Sequence, residues 1–164
     1  MTYAIFRSDR MEGTVNPNAL ISGKYYVTTT ATAIDNGNVV QVGALLTGER
    51  EVFSLTAPAA NTALAKIAII ATPELMADDR KKNLNEFTNA AGDVVRAYML
   101  RSGDIFSVTA DALTPIAGTD PAADQIVELQ ADTKLKLVAT PTSQSTQVGT
   151  VLGVEGDYIV IQVA

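Results

Sequence analysis

Turn-forming residues divide this chain into short apolar segments, and this pattern constrains the fold more than any other feature. Segments rich in Val, Ile, Thr and Tyr cover Lys24–Thr30, Val39–Leu46, Glu51–Thr56 and Lys66–Ala71, and Gly, Pro, Asn or Asp residues separate them. β-branched and aromatic residues favour strands, whereas the separating residues favour turns. No segment shows sustained helical periodicity. The sequence therefore predicts a mainly β fold, an antiparallel barrel-like or sandwich domain built from hairpins.

Three further segments are predicted to be hairpins, and the first is Val95–Thr109. A loop at Ser102-Gly103 places Met99 opposite Phe106, and glycine supplies the positive φ that such a turn needs. The repeated Gly-Asp pairs of this region are therefore interpreted as turns. One face of this hairpin carries Arg96 and Tyr98, which is either a binding surface or an ordinary half-solvated strand.

The second hairpin is Ile126–Ala139, where a loop at residues 131–133 pairs Val127 with Leu137 and Glu128 with Lys136.

The third predicted hairpin is Val148–Val163, where a loop at Glu155-Gly156 pairs Leu152 with Ile159. This register separates an apolar face from a mixed one. The residues predicted to be buried in the three hairpins are Met99, Phe106, Val108, Leu129, Leu135, Leu137, Leu152, Ile159 and Ile161.

Smaller elements are predicted between these segments. Asn36-Gly37 lies between apolar flanks and is typical of a hairpin turn. Pro73–Asp79 and Thr109–Leu113 each predict a short turn of helix, and residues 114–125 predict a loop.

The first 23 residues differ from the rest of the chain. Charged residues, Gly and Pro predominate, and Tyr3, Ile5 and Phe6 are apolar points among them. We interpret residues 1–23 as an extended N-terminal arm and residues 24–164 as a single β-rich domain. The apolar side chains of such an arm need a surface to cover them, either on the chain's own body or on another protein.

Composition excludes several kinds of chemistry. The chain has no Cys, no His and no Trp. Thiolate nucleophiles, Ser-His-Asp triads, Cys/His zinc sites and disulfides are therefore excluded. With 164 residues, the chain is long enough to bury roughly 70% of its unfolded surface without such cross-links.

Charge and hydropathy bear on partners and location. The net charge of −6 argues against nucleic acid as a partner. The basic cluster of Arg80, Lys81 and Lys82 follows Asp78 and Asp79, which is typical of a solvated loop. No apolar run is long enough to span a bilayer, and MTYAIFRSDRMEG lacks the apolar stretch of a signal peptide. We expect no membrane partner.

A carboxylate pair is the enzymatic site that this composition leaves open. Its candidates are Glu86, Asp93, Asp104 and Asp157. The three Asp residues follow Gly, where capping of a turn explains them, and the aromatic content of 5% supplies little surface for stacking on sugars. We therefore expect no enzymatic activity.

Metal and phosphate motifs are also absent. The spacing of Asp120, Asp124 and Asp132 does not match a calcium loop, and Gly43–Gly48 lacks the Gly-Lys-Ser/Thr ending of a phosphate loop. No metal or cofactor is expected.

The stretch GDVVRAYMLRSGDIFSVTADAL, followed by VGTVLGVEGDYIVIQV, resembles the small β-rich decoration, or cement, proteins on the heads of tailed bacteriophages. The resemblance covers roughly residues 20–164. It implies a barrel- or sandwich-like body, a terminal arm ordered by the capsid, and no catalytic residues. It also implies a protein that stabilises the outer surface of a capsid by binding major capsid subunits, with copies of itself as a further partner.

The resemblance places the protein in the virion, on a capsid assembled in the host cytoplasm. The capsid-binding residues would then be Tyr3, Ile5, Phe6, Arg7 and Arg10, with the two arginines paired to carboxylates on the capsid. Two alternatives remain open: another virion module, such as a head fibre base or tail component, and a non-enzymatic surface-binding β domain.

Overall fold

The computed structural model describes residues 2–78, 80 and 83–164, which fold mainly as β-structure, as predicted. The strands are β1 (Phe6–Arg10), β2 (Leu20–Val27), β3 (Thr30–Ala31), β4 (Val39–Leu45), β5 (Val52–Thr56), β6 (Ile67–Ile70), β7 (Val95–Met99), β8 (Ile105–Thr109), β9 (Leu113–Thr114), β10 (Ile126–Glu128), β11 (Leu135–Val138), β12 (Gln147–Glu155) and β13 (Tyr158–Val163). Short 3-10 helices cover Glu12–Thr14, Pro17–Ala19, Leu64–Lys66, Leu84–Glu86 and Ala110–Ala112. Within the described residues, no helix has the length and apolar character needed to cross a membrane.

The described strands form two sheets. The smaller sheet is a barrel with the strand order β2-β5-β4-β6-β7, and it closes because β7 also pairs with β2. The short strand β3 pairs with the end of β2. The large sheet curls into a half-barrel with the order β1-β8-β13-β12-β10-β11-β9. Pairing is mostly antiparallel, but β2 runs parallel to β5 and β9 runs parallel to β11. The barrel prediction is confirmed, and the sheets are mixed rather than purely antiparallel.

Strand β6 holds the two sheets together because both of its faces are buried. Ile67 and Ile69 lie in the main core, which the barrel shares with the large sheet. Ala68 and Ile70 point the other way, into the barrel core. Successive side chains of a strand alternate between faces, so an unbroken apolar run can fill two cores at once.

The predicted hairpin Val95–Thr109 does not form. The turn is present: Gly103 has a φ of 89°, and the Asp104 amide donates to the Arg101 carbonyl at 3.0 Å. Its flanking strands then separate, since β7 pairs with β6 and β2 whereas β8 pairs with β13 and β1. The apolar side chains of β7 and β8 are buried in different cores, and Met99 consequently stays half-buried against the barrel core.

The hairpin of β10 and β11 has the predicted register. Val127 pairs with Leu137 and Glu128 pairs with Lys136. Leu129, Leu135 and Leu137 are buried, as predicted.

The hairpin of β12 and β13 forms, but its predicted register is wrong. The two-residue loop is Gly156-Asp157, and Gly156 has a φ of 61°, which suits the first loop position of a type II′ turn. A bulge between Val151 and Gly153 then shifts the rest of the pairing. As a result Leu152 is 46% exposed, contrary to its predicted burial, while Val151 is buried.

This bulge gives a direct stability test. Val151→Ala should lower the free energy of unfolding by about 2 kcal/mol, because it leaves a cavity in the main core. Leu152→Ala removes a larger side chain but should cost less than about 0.5 kcal/mol, because nearly half of the residue already faces solvent and it lies outside the main core. Chemical denaturation of both variants measures the difference. A larger loss of stability in Leu152→Ala than in Val151→Ala would instead support the register predicted from sequence.

Residues 2–23 do not form a separate arm. Strand β1 pairs with β8, with Phe6 opposite Val108 and Arg7 opposite Ser107. The Phe6 ring lies 6.0 Å from that of Phe106, and Ala4 and Met11 are buried in the same core. The predicted boundary at residue 24 also falls inside β2. The arm prediction is therefore wrong for the described residues, because alternate apolar residues of this segment fill the main core.

The smaller predicted elements have mixed outcomes. Asn36-Gly37 forms a turn, but Ile34 bridges Asn89 and β4 pairs with β6, so its flanks make no hairpin. The helical turn predicted at Thr109–Leu113 is present as Ala110–Ala112, and residues 115–125 form the predicted loop. Residues 73–78 contain no helix, and Asp79 lies outside the described residues.

Candidate binding surface

Two of the candidate carboxylates, Asp93 and Asp104, accept hydrogen bonds from backbone amides at turns. Asp104 is buried and accepts hydrogen bonds from the backbone amides of Glu12 at 2.7 Å and Arg101 at 2.9 Å. Asp93 accepts from the Ala90 amide at 3.1 Å. The interpretation of these two Gly-Asp pairs as capped turns is confirmed.

The other two candidate carboxylates lie apart from Asp104. Glu86 accepts a hydrogen bond from the Asn83 amide at 3.0 Å, and it lines the same cleft as Asp93. Asp157 forms part of the exposed β12–β13 turn. The structure thus brings together only Glu86 and Asp93, and each also serves a local backbone amide.

The remaining sequence candidates are the three loop aspartates and the basic cluster. Among the described residues, no three acidic side chains form a cluster that could hold a metal ion, and this includes Asp120, Asp124 and Asp132. Arg80 forms an exposed ion pair with Asp78 at 2.9 Å. Lys81 and Lys82, the rest of the basic cluster, lie outside the described residues.

The side of the large sheet that faces away from the main core is here called the outer face, and seven strands contribute to this sheet. On β8, Phe106 and Val108 are buried in the main core, so Ile105, Ser107 and Thr109 point outward. The register then assigns the neighbouring positions to the same side. The outer face comprises Arg7, Arg10, Ile105, Ser107, Thr109, Ile126, Glu128, Lys136, Val138, Thr150, Gly153, Glu155, Tyr158, Val160 and Gln162.

The centre of the outer face is uncharged and partly apolar. Val160 lies opposite Ser107 on one side and Gly153 on the other, and Ile126 lies opposite Val138. Val160, Ile126 and Val138 are half-buried, and neither described core includes them. Antiparallel sheets usually place polar residues on their solvent side, so three half-buried apolar side chains there are unusual. We call them the apolar strip, although Thr150 lies between Ile126 and Val160 in the register.

Charged residues lie at the β1 edge of the outer face. The Arg7 guanidinium lies 5.0 Å from the centre of the Tyr158 ring, and the Ser107 hydroxyl donates to Asp9. Arg10 lies opposite Ile105. Among the described residues, neither arginine forms an ion pair with a carboxylate. Both arginines that the sequence suggested as capsid-binding are exposed at this edge.

The opposite end of the outer face is closed by a loop over a buried carboxylate. Glu128 is fully buried and accepts hydrogen bonds from the Thr142 amide at 2.6 Å and the Thr142 hydroxyl at 2.5 Å. The Lys136 ammonium lies 3.2 Å from the same carboxylate and donates to the Ser145 hydroxyl at 2.9 Å. Burial alone would raise the pKa of Glu128, but these hydrogen bonds and the charge of Lys136 outweigh it and lower the pKa.

The other predicted site residues lie elsewhere. Phe6 is buried and cannot act as an exposed anchor, whereas Tyr3 and Ile5 are half-buried in a cleft beside the β12–β13 turn. Arg96 is exposed, and the Tyr98 ring stacks against Phe6 at 6.3 Å. Because β7 and β8 belong to different sheets, Arg96 and Tyr98 are not part of the outer face.

Sequence reasoning missed the apolar strip of the outer face. The segment YIVIQV of β13 is apolar at both odd and even positions up to Ile161. Such a segment predicts apolar side chains on both faces of a strand.

A comparison with models of known protein families and a search of curated proteins both find no match to this chain.

Proposed function

We propose that this chain is a structural, non-enzymatic virion protein that decorates and stabilises the outer surface of a bacteriophage capsid by binding major capsid subunits. The observation that carries the proposal is the outer face, a sheet surface with half-buried apolar side chains and two exposed arginines at its edge. Exposed apolar surface rimmed by polar groups is typical of protein interaction sites.

Two further observations support a binding role. The candidate carboxylates Asp93 and Asp104 are engaged in capping turns. The resemblance to decoration proteins that we inferred from the sequence, over roughly residues 20–164, would fit the same role. Contacts of modest strength suffice for such a role, since many identical copies bind one lattice.

The outer face would dock in a defined way. Val160, Ile126 and Val138 would pack against an apolar surface of the capsid subunit, while Arg7 and Arg10 would pair with its carboxylates. Burial of the strip would supply most of the affinity, and the exposed arginines would contribute mainly to orientation and association rate.

Co-sedimentation with empty capsids from the same source tests this proposal. The protein should pellet with capsids, and Val160→Lys should lower its affinity at least tenfold, because the introduced charge would have to be desolvated in the interface. Leu45→Lys is the matched control, because Leu45 is 46% exposed at the end of β4 in the barrel. This variant should bind as the parent protein does.

Three results would contradict the proposal. Failure of the parent protein to bind capsids would favour a surface-binding domain of another kind. Assembly of the purified protein into rings or tubes would favour a tail component. Equal loss of binding in both lysine variants would mean that the outer face is not the docking surface.

A further inference from the structure

The main core is incompletely covered next to the β12–β13 turn. Val154 and Ile159 are a cross-strand pair on the inner side of the large sheet. Ile159 is 2% exposed, whereas Val154 is 43% exposed, although other inward residues of these strands are buried. An apolar side chain that covers Val154 would complete this end of the core.

A cleft of about 380 Å³ lies over Val154. Tyr3 and Ile5 line it on the N-terminal segment, and Pro121 contributes a further apolar surface. This size falls within the range of small ligand sites and leaves room for one large side chain.

Hydrogen bonds of the Tyr3 and Ile5 backbone fix the N-terminal wall of the cleft in place. The Tyr3 amide donates to the Asn85 carbonyl at 2.8 Å, and the Ile5 amide donates to the Thr109 hydroxyl at 3.0 Å. The Thr109 amide in turn donates to the Ile5 carbonyl at 3.1 Å. A preformed wall reduces the entropy lost on binding.

The charged side chains among the described residues that line the cleft are both acidic. Asp111 and Asp157 line it and are exposed, and its described lining residues include no lysine or arginine. A positively charged group next to the entering side chain is therefore favoured, and a negatively charged one is opposed.

We propose that this cleft is a socket for one large apolar side chain, such as leucine, methionine or phenylalanine, flanked by lysine or arginine on an extended segment of a partner protein. Tyr3 and Ile5, which the sequence suggested as anchors that insert into a partner, form the walls that receive an anchor instead. The socket lies apart from the apolar strip of the outer face, so the proposal does not depend on capsid docking.

Short synthetic peptides test the socket. With selectively labelled methyl groups, NMR should show saturable shifts at Val154 when acetyl-Arg-Leu-Arg-amide is added. The analogue acetyl-Glu-Leu-Glu-amide should bind at least threefold more weakly, and acetyl-Arg-Ser-Arg-amide should cause no saturable shift. High salt should reduce binding of the first peptide, since exposed charges are screened.

Variants separate the two contributions. The double variant Asp111→Asn/Asp157→Asn should remove the preference for the Arg peptide over the Glu peptide while retaining binding of leucine. Glu49→Gln, at an exposed position of the barrel's β4–β5 loop, is the matched charge control and should keep the preference.

Two outcomes would overturn the proposal. Equal affinity of the Arg and Glu peptides in the parent protein would remove its electrostatic basis. Val154 shifts that depend on protein concentration without peptide would identify a second copy of the chain as the occupant.

Discussion

Deleting residues 2–11 should abolish the cooperative unfolding transition of this protein. The deletion removes β1, takes Ala4, Phe6 and Met11 out of the main core, and exposes the edge of β8. Loss of Phe6 and Met11 alone should cost several kcal/mol, which is comparable with the total stability of about 5–15 kcal/mol expected for a domain. Thermal and chemical denaturation measure the effect.

A point variant provides a graded version of this experiment. Phe6→Ala should lower the free energy of unfolding by about 3–5 kcal/mol, because the ring is buried against Phe106 and Tyr98. Ser8→Ala, at an exposed position of the same strand, should change it by less than about 0.5 kcal/mol. If the protein lacking residues 2–11 melted at the same midpoint as the full chain, this segment would be an arm and not part of the core.

Replacing Glu128 by Gln should have the second largest effect. The variant removes the charge that Lys136 and Thr142 share, and the Lys136 ammonium is left without its counter-ion. Breaking such a buried pair should cost about 3 kcal/mol at neutral pH. Glu155→Gln, at an exposed position of β12, is the matched control and should be close to neutral.

The effect of Glu128→Gln should depend on pH in a defined direction. Because the pKa of Glu128 is lowered in the folded state, the ionised carboxylate stabilises the fold, and this contribution to the free energy of unfolding is fully present above the ordinary carboxyl pKa of about 4.3. That contribution disappears as the pH falls through the lower folded value. The difference in unfolding free energy between parent and variant should therefore be largest near neutrality and narrow below about pH 4. A difference that is constant with pH would mean that the carboxylate charge does not hold the loop.

Local features of the sequence predicted much of the secondary structure. The strands β4, β5, β6, β10 and β11 lie where apolar runs end at turn residues, and the β10–β11 register follows from a short loop and the opposite charges of Glu128 and Lys136. These features act within a few residues along the chain, so a single sequence reveals them.

The candidate surface was less accessible to sequence reasoning. Arg7 and Arg10 were identified as binding residues, but as parts of an arm rather than as the edge of a sheet. Val160, Ile126 and Val138 come to lie on the same face only because β13, β12, β10 and β11 pair in that order. Neighbours across a sheet are set by register, and the bulge in β12 changed the register that the turn residues suggested.

The sequence by itself determined that this chain is mainly β, where many of its strands lie, and that the chain turns at Gly103 and near Gly156. Only the tertiary structure decided which strands pair across those turns. The turn at Gly103 joins strands of two different sheets, because Ala97 is buried in the barrel core while Phe106 and Val108 are buried in the main core. The pairing of Phe6 with Val108 likewise joins distant parts of the chain. Turn chemistry is local, whereas the choice of strand partner depends on how much apolar surface the whole chain can bury at once.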